Sequence, residues 1–269
     1  MNDASAMALA GVFDRAAAEY DTAIPFFVRF GRRLVELAEI HVGESVLDVA
    51  SGRGASLLPA AEAAGAGGRV VGVDLAPQMV QFLHDDLHNL RLAQASVLVG
   101  DATRLALPDD EFDVALCGFA LMLLPEPTHA AAELLRVLHP HGRVAVSMPT
   151  GAGDEWSFFG ELFAEFAPRA VRSLPPATGP PVDLAAILHE AGFTDIRTLD
   201  ETEDFAFADA DALWRWAWSQ GMRVFLEALP SDALDDLRSA AQDRLRAMTR
   251  TDGSIPFHQR VRYVLGSKP

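Results

Sequence analysis

The chain is poor in two residues that many binding sites depend on: it has one lysine, Lys268, beside its C-terminus, and one cysteine, Cys117. A single cysteine excludes an intramolecular disulfide, a structural zinc finger and a three-cysteine iron–sulfur cluster. The lone lysine removes the residue that a phosphate-cradling P-loop needs after its glycines. No run reaches the ~18 apolar residues of a membrane span, and the N-terminus lacks the basic flank of a signal peptide. Cationic side chains are few, 22 Lys and Arg against 38 Asp and Glu for a net charge of −16, so clustered positive charge for nucleic acid is missing. The expectation is a soluble cytoplasmic protein with no nucleic-acid partner, no membrane partner and no bound metal, whose acidity serves solubility.

At 269 residues and half apolar, the chain is long enough for one well-buried α/β core and an appended cap. Residues 1–10 are small and mixed, which predicts fraying. Phe13, Ala17, Tyr20 and Ile24 then recur at helical spacing, and a second amphipathic stretch runs from Phe26 through Phe30, Leu34 and Leu37. From residue 45 to 149 strands near 45–49, 69–74, 96–99, 112–117 and 142–148 alternate with helices near 55–64, 77–92 and 128–138. Such alternation predicts an α/β fold with a doubly wound, Rossmann-like sheet. After Pro149, Trp156, Phe158, Phe159, Leu162, Phe163 and Phe166 crowd one helix, and Pro168 to Pro181 reads as a proline-rich linker. A helix over 183–193 and a strand to about Thr202 follow, then helices near 210–229 and 232–249 and a final strand at 258–265.

Within this alternation, Val46-Leu47-Asp48-Val49-Ala50-Ser51-Gly52-Arg53-Gly54 runs an apolar strand into a glycine turn and an alanine-rich helix. Gly52 and Gly54 have no β-carbons to hold a ligand off, and the helix start offers unpaired N–H groups. About 20 residues beyond Gly54 the strand Arg69 to Asp74 ends in a carboxylate, placed to accept hydrogen bonds from both hydroxyls of an adenosyl ribose. A dinucleotide fingerprint would place a third glycine where Leu57 stands. The pattern therefore points to a nucleoside cofactor without a phosphate cradle.

Leu-Asp-Val-Ala-Ser-Gly-Arg-Gly (47–54), Val-Gly-Val-Asp-Leu-Ala-Pro-Gln-Met (71–79), Gly-Asp-Ala (100–102) and Leu-Pro-Asp-Asp-Glu-Phe-Asp-Val (107–114) stand in order along the chain. This series resembles the class I S-adenosylmethionine-dependent methyltransferases, most of all the branch of ubiquinone and menaquinone biosynthesis enzymes and small-molecule methyltransferases of bacterial secondary metabolism. The resemblance implies that S-adenosyl-L-methionine is the cofactor and S-adenosyl-L-homocysteine its product. It implies that Asp48 and the turn Ala50, Ser51, Gly52 and Gly54 hold the methionine moiety and Asp74 the ribose. Gly100, Asp101 and Ala102 would border the adenine edge, Leu75 and Met79 its faces, and Cys117 the end of the neighbouring strand. Relatives usually have glycine and often cysteine at the positions of Ala50 and Ser51. Many also carry a His-His pair where this chain has Met122-Leu123, which predicts an apolar pocket floor.

The same resemblance implies a final antiparallel strand and an N-terminal lid that brings Tyr20 to the methionine end. The expected organisation is a lid at 1–40, a Rossmann-like core at 41–150, 183–208 and 256–269, and a helical substrate cap at 151–182 and 209–255. The acceptor is expected to be a small, aromatic or apolar molecule enclosed by Phe13, Met122, Trp156, Phe159, Trp214 and Trp218. His258, at the start of the final strand, is the candidate general base. Oxygen, nitrogen and carbon acceptors are not separable in the sequence, and the oligomeric state is open, a homodimer included. Two other readings are a nicotinamide-dependent Rossmann oxidoreductase, disfavoured by Leu57, and a non-catalytic cofactor-binding scaffold or regulatory subunit.

Overall fold

The computed structural model describes residues 3–172 and 182–269. Two helices open the chain, α1 (Asp3–Ala16) and α2 (Phe26–Leu37). There follow β1 (Ser45–Val49), α3 (Leu57–Ala64), β2 (Arg69–Asp74), α4 (Pro77–Leu90), β3 (Ala95–Val99), β4 (Phe112–Gly118), α5 (Pro127–Val137) and β5 (Leu138–Ala152). The second half adds α6 (Ser157–Phe166), α7 (Leu184–Ala191), β6 (Thr194–Phe207), α8 (Ala210–Trp218), α9 (Arg223–Leu226), α10 (Ser231–Met248) and β7 (Ile255–Ser267).

All seven strands form one sheet in the order β3-β2-β1-β4-β5-β7-β6. Neighbours among β1 to β5 are parallel, and β7 runs antiparallel to both β5 and β6. This is the doubly wound sheet with a final antiparallel strand. Strand order reverses at β1, with β2 and β3 on one side and β4 on the other, and such a reversal opens a crevice at the strands' carboxyl ends.

Two-residue periodicity divides the core. Val46, Val70, Val114 and Leu116 pack with Phe30, Leu34, Leu57 and Leu83 on one face. Leu47, Val71, Val73 and Ala115 pack with Leu134 and Leu188 on the other. Burial on both faces explains the near-continuous apolar runs of these strands. On the first face α2 presses on the turn that starts α3: a β-carbon at Gly31 would lie 2.2 Å from the Ala55 carbonyl oxygen. Only glycine fits there.

Several local expectations need correction. A helix occupies the segment expected to fray, beginning at Asp3. Tyr20 does not continue the helical face of Phe13, because α1 stops at Ala16 and Asp21 has φ 58°. The carboxylate of Asp21 accepts the Phe27 and Val28 N–H groups at 2.8 and 2.9 Å, capping α2 from four residues before Pro25 and forcing the break. The helix expected over 210–229 is interrupted after Trp218, where the Ser219 hydroxyl donates to the Trp216 carbonyl and Gly221 follows. Most of the proline-rich stretch to Pro181 lies outside the described residues.

Strands β5, β6 and β7 outrun the parallel part of the sheet, pairing Ala152 with Gln259 and Phe205 with Phe257. These extensions carry the cap helices. Leu162, Phe166, Leu213, Leu237 and Leu245 are buried there in the same continuous cluster as Phe30 and Leu34.

Candidate active site

A chamber of about 490 Å³ lies between the carboxyl ends of the strands and the cap. On the sheet side it is lined by Ala50, Gly52, Asp74, Leu75, Met79, Gly100, Asp101 and Ala102, all of them predicted cofactor contacts. Ala50, Gly52 and Gly54 have φ of 56°, 52° and 83°, so the turn after β1 is left-handed at three positions. Two are glycines; Ala50 holds that conformation with a β-carbon.

Asp74 braces this turn. Its Oδ2 accepts the Gly52 N–H at 2.8 Å and its Oδ1 the Ala76 N–H at 2.8 Å. Burial raises its pKa, and these two hydrogen bonds oppose the rise. Each carboxylate oxygen keeps a lone pair for a further donor. Asp101 is similar: one oxygen accepts the Thr103 N–H and hydroxyl, both at 2.8 Å. Tyr20 hangs over the turn, with a ring atom 4.0 Å from where a Gly52 β-carbon would sit, and its ring stacks on Phe27 at 4.6 Å. Burial holds its hydroxyl far above the ordinary phenol range, reinforced by the charges of Asp21 and Asp74. It is therefore a neutral donor at physiological pH.

Asp48, Ser51, Gly54 and Cys117 do not line the chamber; they lie beneath its floor. A β-carbon at Gly54 would meet Leu83 at 2.6 Å, so this glycine serves packing as well as the turn. The Cys117 thiol is fully buried and pushed up to about 12, chiefly by desolvation, which leaves it inert. Asp48 is 1% exposed, and one of its oxygens has no partner among the described residues; the Ser51 hydroxyl is orphaned likewise. Desolvation first, then the charge of Asp74, pushes the Asp48 carboxyl up to about 8 against a hydrogen bond from Leu57. A left-handed glycine cradle, two edge carboxylates and an orphaned acid below fit a nucleoside with an amino-acid tail.

The cap side is apolar. Phe13, Met122, Trp156 and Phe159 line it. Trp214 and Trp218 do not: they border a separate 150 Å³ pocket beside Arg238. Trp216, on the opposite face of α8, takes their place with Leu213, packing 5.2 Å from Phe26 and 5.2 Å from Phe257. Both faces of α8 are apolar, so periodicity could not say which one meets the chamber. Phe26, Phe27, Phe119, Phe257, Gln220 and Gln259 also line it and went unmarked in the sequence. Phe119 carried the one usable signal, its place just past a strand's carboxyl end.

His258 is turned away from the chamber. Alternation along β7 points Phe257 and Gln259 inward, while the His258 ring pairs through Nδ1 with the Asp204 carboxylate at 2.6 Å. Its candidacy as the base fails on orientation.

α1 roofs the chamber and is tied to both of its sides. Asp14 accepts the Gln78 N–H at the start of α4, and Arg53, in the glycine turn, donates to the Ala17 carbonyl at 2.8 Å. Toward the cap, Arg15 and Arg223 both pair with Glu227.

Residues 47–146 match the family described as "Methyltransferase domain". The Nocamycin O-methyltransferase of Saccharothrix syringae is 35% identical over 95% of this chain and 96% of its own length. Aklanonic acid methyltransferase DauC from Streptomyces sp. (strain C5) is 34% identical over 59% of this chain and 73% of its own. Among solved structures, the YcgJ protein from Bacillus subtilis superposes with a TM-score of 0.59 at 18% identity, over 89% of this chain and 98% of that one. The [4+2]-cyclase SpnF superposes at 0.54 and 20% identity, over 88% and 81%, so the fold alone does not fix the reaction. With the full-length relative and the site together, the chain belongs to the S-adenosylmethionine-dependent methyltransferases of class I. Its cofactor is S-adenosyl-L-methionine.

Proposed function

We propose that this chain transfers the methyl group of S-adenosyl-L-methionine to an oxygen of a small, apolar, ring-bearing metabolite. The observation that carries this reading is the continuity of one chamber from the glycine turn and Asp74 to the aromatic walls of the cap. An oxygen acceptor is supported by the full-length relative, named an O-methyltransferase. When bound, the cofactor supplies a methyl group already activated on a sulfonium.

The chain's work is then alignment and exclusion of water. Asp74 and Asp101 hold the nucleoside, and the Gly52 turn with Tyr20 encloses the methionine end. Trp156, Phe159, Trp216 and Phe257 keep the acceptor side dry. Among the described lining residues there is no histidine or lysine; the carboxylates of Asp74 and Asp101 lie on the sheet side, and that of Glu126 is exposed at the rim and faces the His129 ring at 3.2 Å. An acceptor oxygen that is acidic enough to lose its proton to water suits such a wall, because no side chain has to remove it. The nicotinamide reading falls with the family assignment.

Calorimetric titration with S-adenosylhomocysteine tests the reading without knowledge of the acceptor. Micromolar binding, weakened at least tenfold in Asp74→Asn, is expected; absence of binding to the native chain would overturn it.

A further inference from the structure

Two glutamine side chains interrupt the apolar cap wall: Gln259 on β7 and Gln220 in the break between α8 and α9. The orientation of each amide is settled by backbone partners. Gln259 Nε2 donates to the Gly151 carbonyl at 2.9 Å and to the Arg260 carbonyl at 2.7 Å, which uses both of its hydrogens. Turning the amide over would set oxygen against two carbonyls. Its Oε1 therefore remains an acceptor with no donor among the described residues, on a residue that is 6% exposed. Gln220 has the opposite polarity: its Oε1 accepts the Met222 N–H at 3.1 Å, so its Nε2 keeps its hydrogens for the chamber.

Neither atom is among the fully buried orphans, so both open onto accessible space and lose their water when a ligand fills the chamber; left unpaired then, each is costly. We propose that these glutamines read the methyl acceptor, Gln259 Oε1 accepting from a hydroxyl or N–H on it and Gln220 Nε2 donating to a carbonyl. The acceptor class is then a flat ring system that bears both groups, a hydroxylated ketone or quinone, seated against Trp156, Phe159 and Phe257. A purely hydrocarbon body would strand both amides. This rests on the cap side of the chamber being the acceptor site.

The probes are 2,6-dihydroxyanthraquinone, at pH 6 so that its hydroxyls keep their protons, and anthraquinone, which has the carbonyls alone. Binding is read from tryptophan quenching with S-adenosylhomocysteine present. The native chain is expected to favour the dihydroxy compound about tenfold. Gln259→Leu should bring the two within about twofold, and Gln220→Leu should weaken both by a similar factor, with S-adenosylhomocysteine affinity unchanged in each. Where Gln259→Leu loses S-adenosylhomocysteine binding through misfolding, Gln259→Met, which keeps the bulk, is read instead. Equal affinity of the two quinones for the native chain, no binding of either, or a preference that survives loss of the Gln259 amide would overturn the inference. Failure of the native chain to bind S-adenosylhomocysteine would instead overturn the reading beneath it.

Discussion

Asp14 Oδ1 accepts the backbone N–H of Gln78 at 2.6 Å, so the helix that roofs the chamber also caps α4, which carries Met79. α4 has no capping side chain of its own, since Ala76 stands at its N-cap and Pro77 follows. A tertiary contact does the work of a local cap.

Asp14→Ala is expected to cost about 1 kcal/mol of stability, the usual magnitude for a lost cap. It should also weaken S-adenosylhomocysteine binding, because the roof is released from the helix beside the nucleoside site. Urea unfolding and calorimetry measure the two effects; a stability loss with unchanged affinity would separate the cap from the roof.

The pair of arginines around Glu227 predicts an acid limit for the closed roof. The hydrogen bond from Arg15, helped by Arg223 and opposed by desolvation, holds the Glu227 carboxyl at about 2, below its ordinary 4.5. A depressed carboxyl stabilises the native state fully above the unfolded value and loses that contribution as pH falls through the folded one. Protection of α1 amides in hydrogen exchange should therefore drop between about pH 4.5 and pH 2. In Glu227→Gln it should be lower throughout and flat across that window.

Asp48 carries the opposite sign. Its carboxyl is pushed up to about 8 from 3.8, so between those values the native state holds a proton that the unfolded chain has released. Stability then falls as pH rises through the window. Asp48→Asn, which imitates the neutral acid and keeps an acceptor for the Leu57 N–H, should match the native melting temperature near pH 4. Its advantage should grow steadily toward pH 8. A constant offset between the two melting curves would refute the burial argument.

Ala50 stands at φ 56°, a left-handed conformation that favours glycine. The left-handed conformation costs an alanine roughly 1–2 kcal/mol, and glycine at a compatible site gives back roughly 0.4–1 kcal/mol through the greater freedom of the unfolded chain. Ala50→Gly is expected to stabilise by about 1 kcal/mol or less, seen as a higher urea midpoint with an unchanged slope. A lower midpoint would mean that the Ala50 methyl packs favourably enough to outweigh its strain.

The sheet was legible because its signals are local. Val46 to Gly54 and Arg69 to Asp74 state strand, turn and carboxylate within a few residues, and β1 and β2 begin and end where the apolar runs do. The cofactor side of the chamber was legible for the same reason, since Gly52, Asp74 and Asp101 all follow directly from strand ends. The break at Ala16 was not, because Asp21 caps α2 across four residues of turn, which helical spacing cannot register.

By itself, then, the sequence determined the order of strands and helices, the glycine turn after β1 and the acids at the strand ends that line the chamber, because each depends on backbone geometry over one turn or one strand. Only the tertiary structure decided which side of α8 meets the chamber, putting Trp216 rather than Trp214 and Trp218 on its wall, and which side of β7, putting Gln259 inward and His258 out. α8 carries aromatic residues on both faces, and on β7 alternation separates Phe257, Gln259, Val261 and Tyr263 from His258, Arg260 and Arg262 without saying what covers either set. A face is chosen by what packs against it, and here the partners Phe26, Phe159 and Ala152 come from parts of the chain more than fifty residues away.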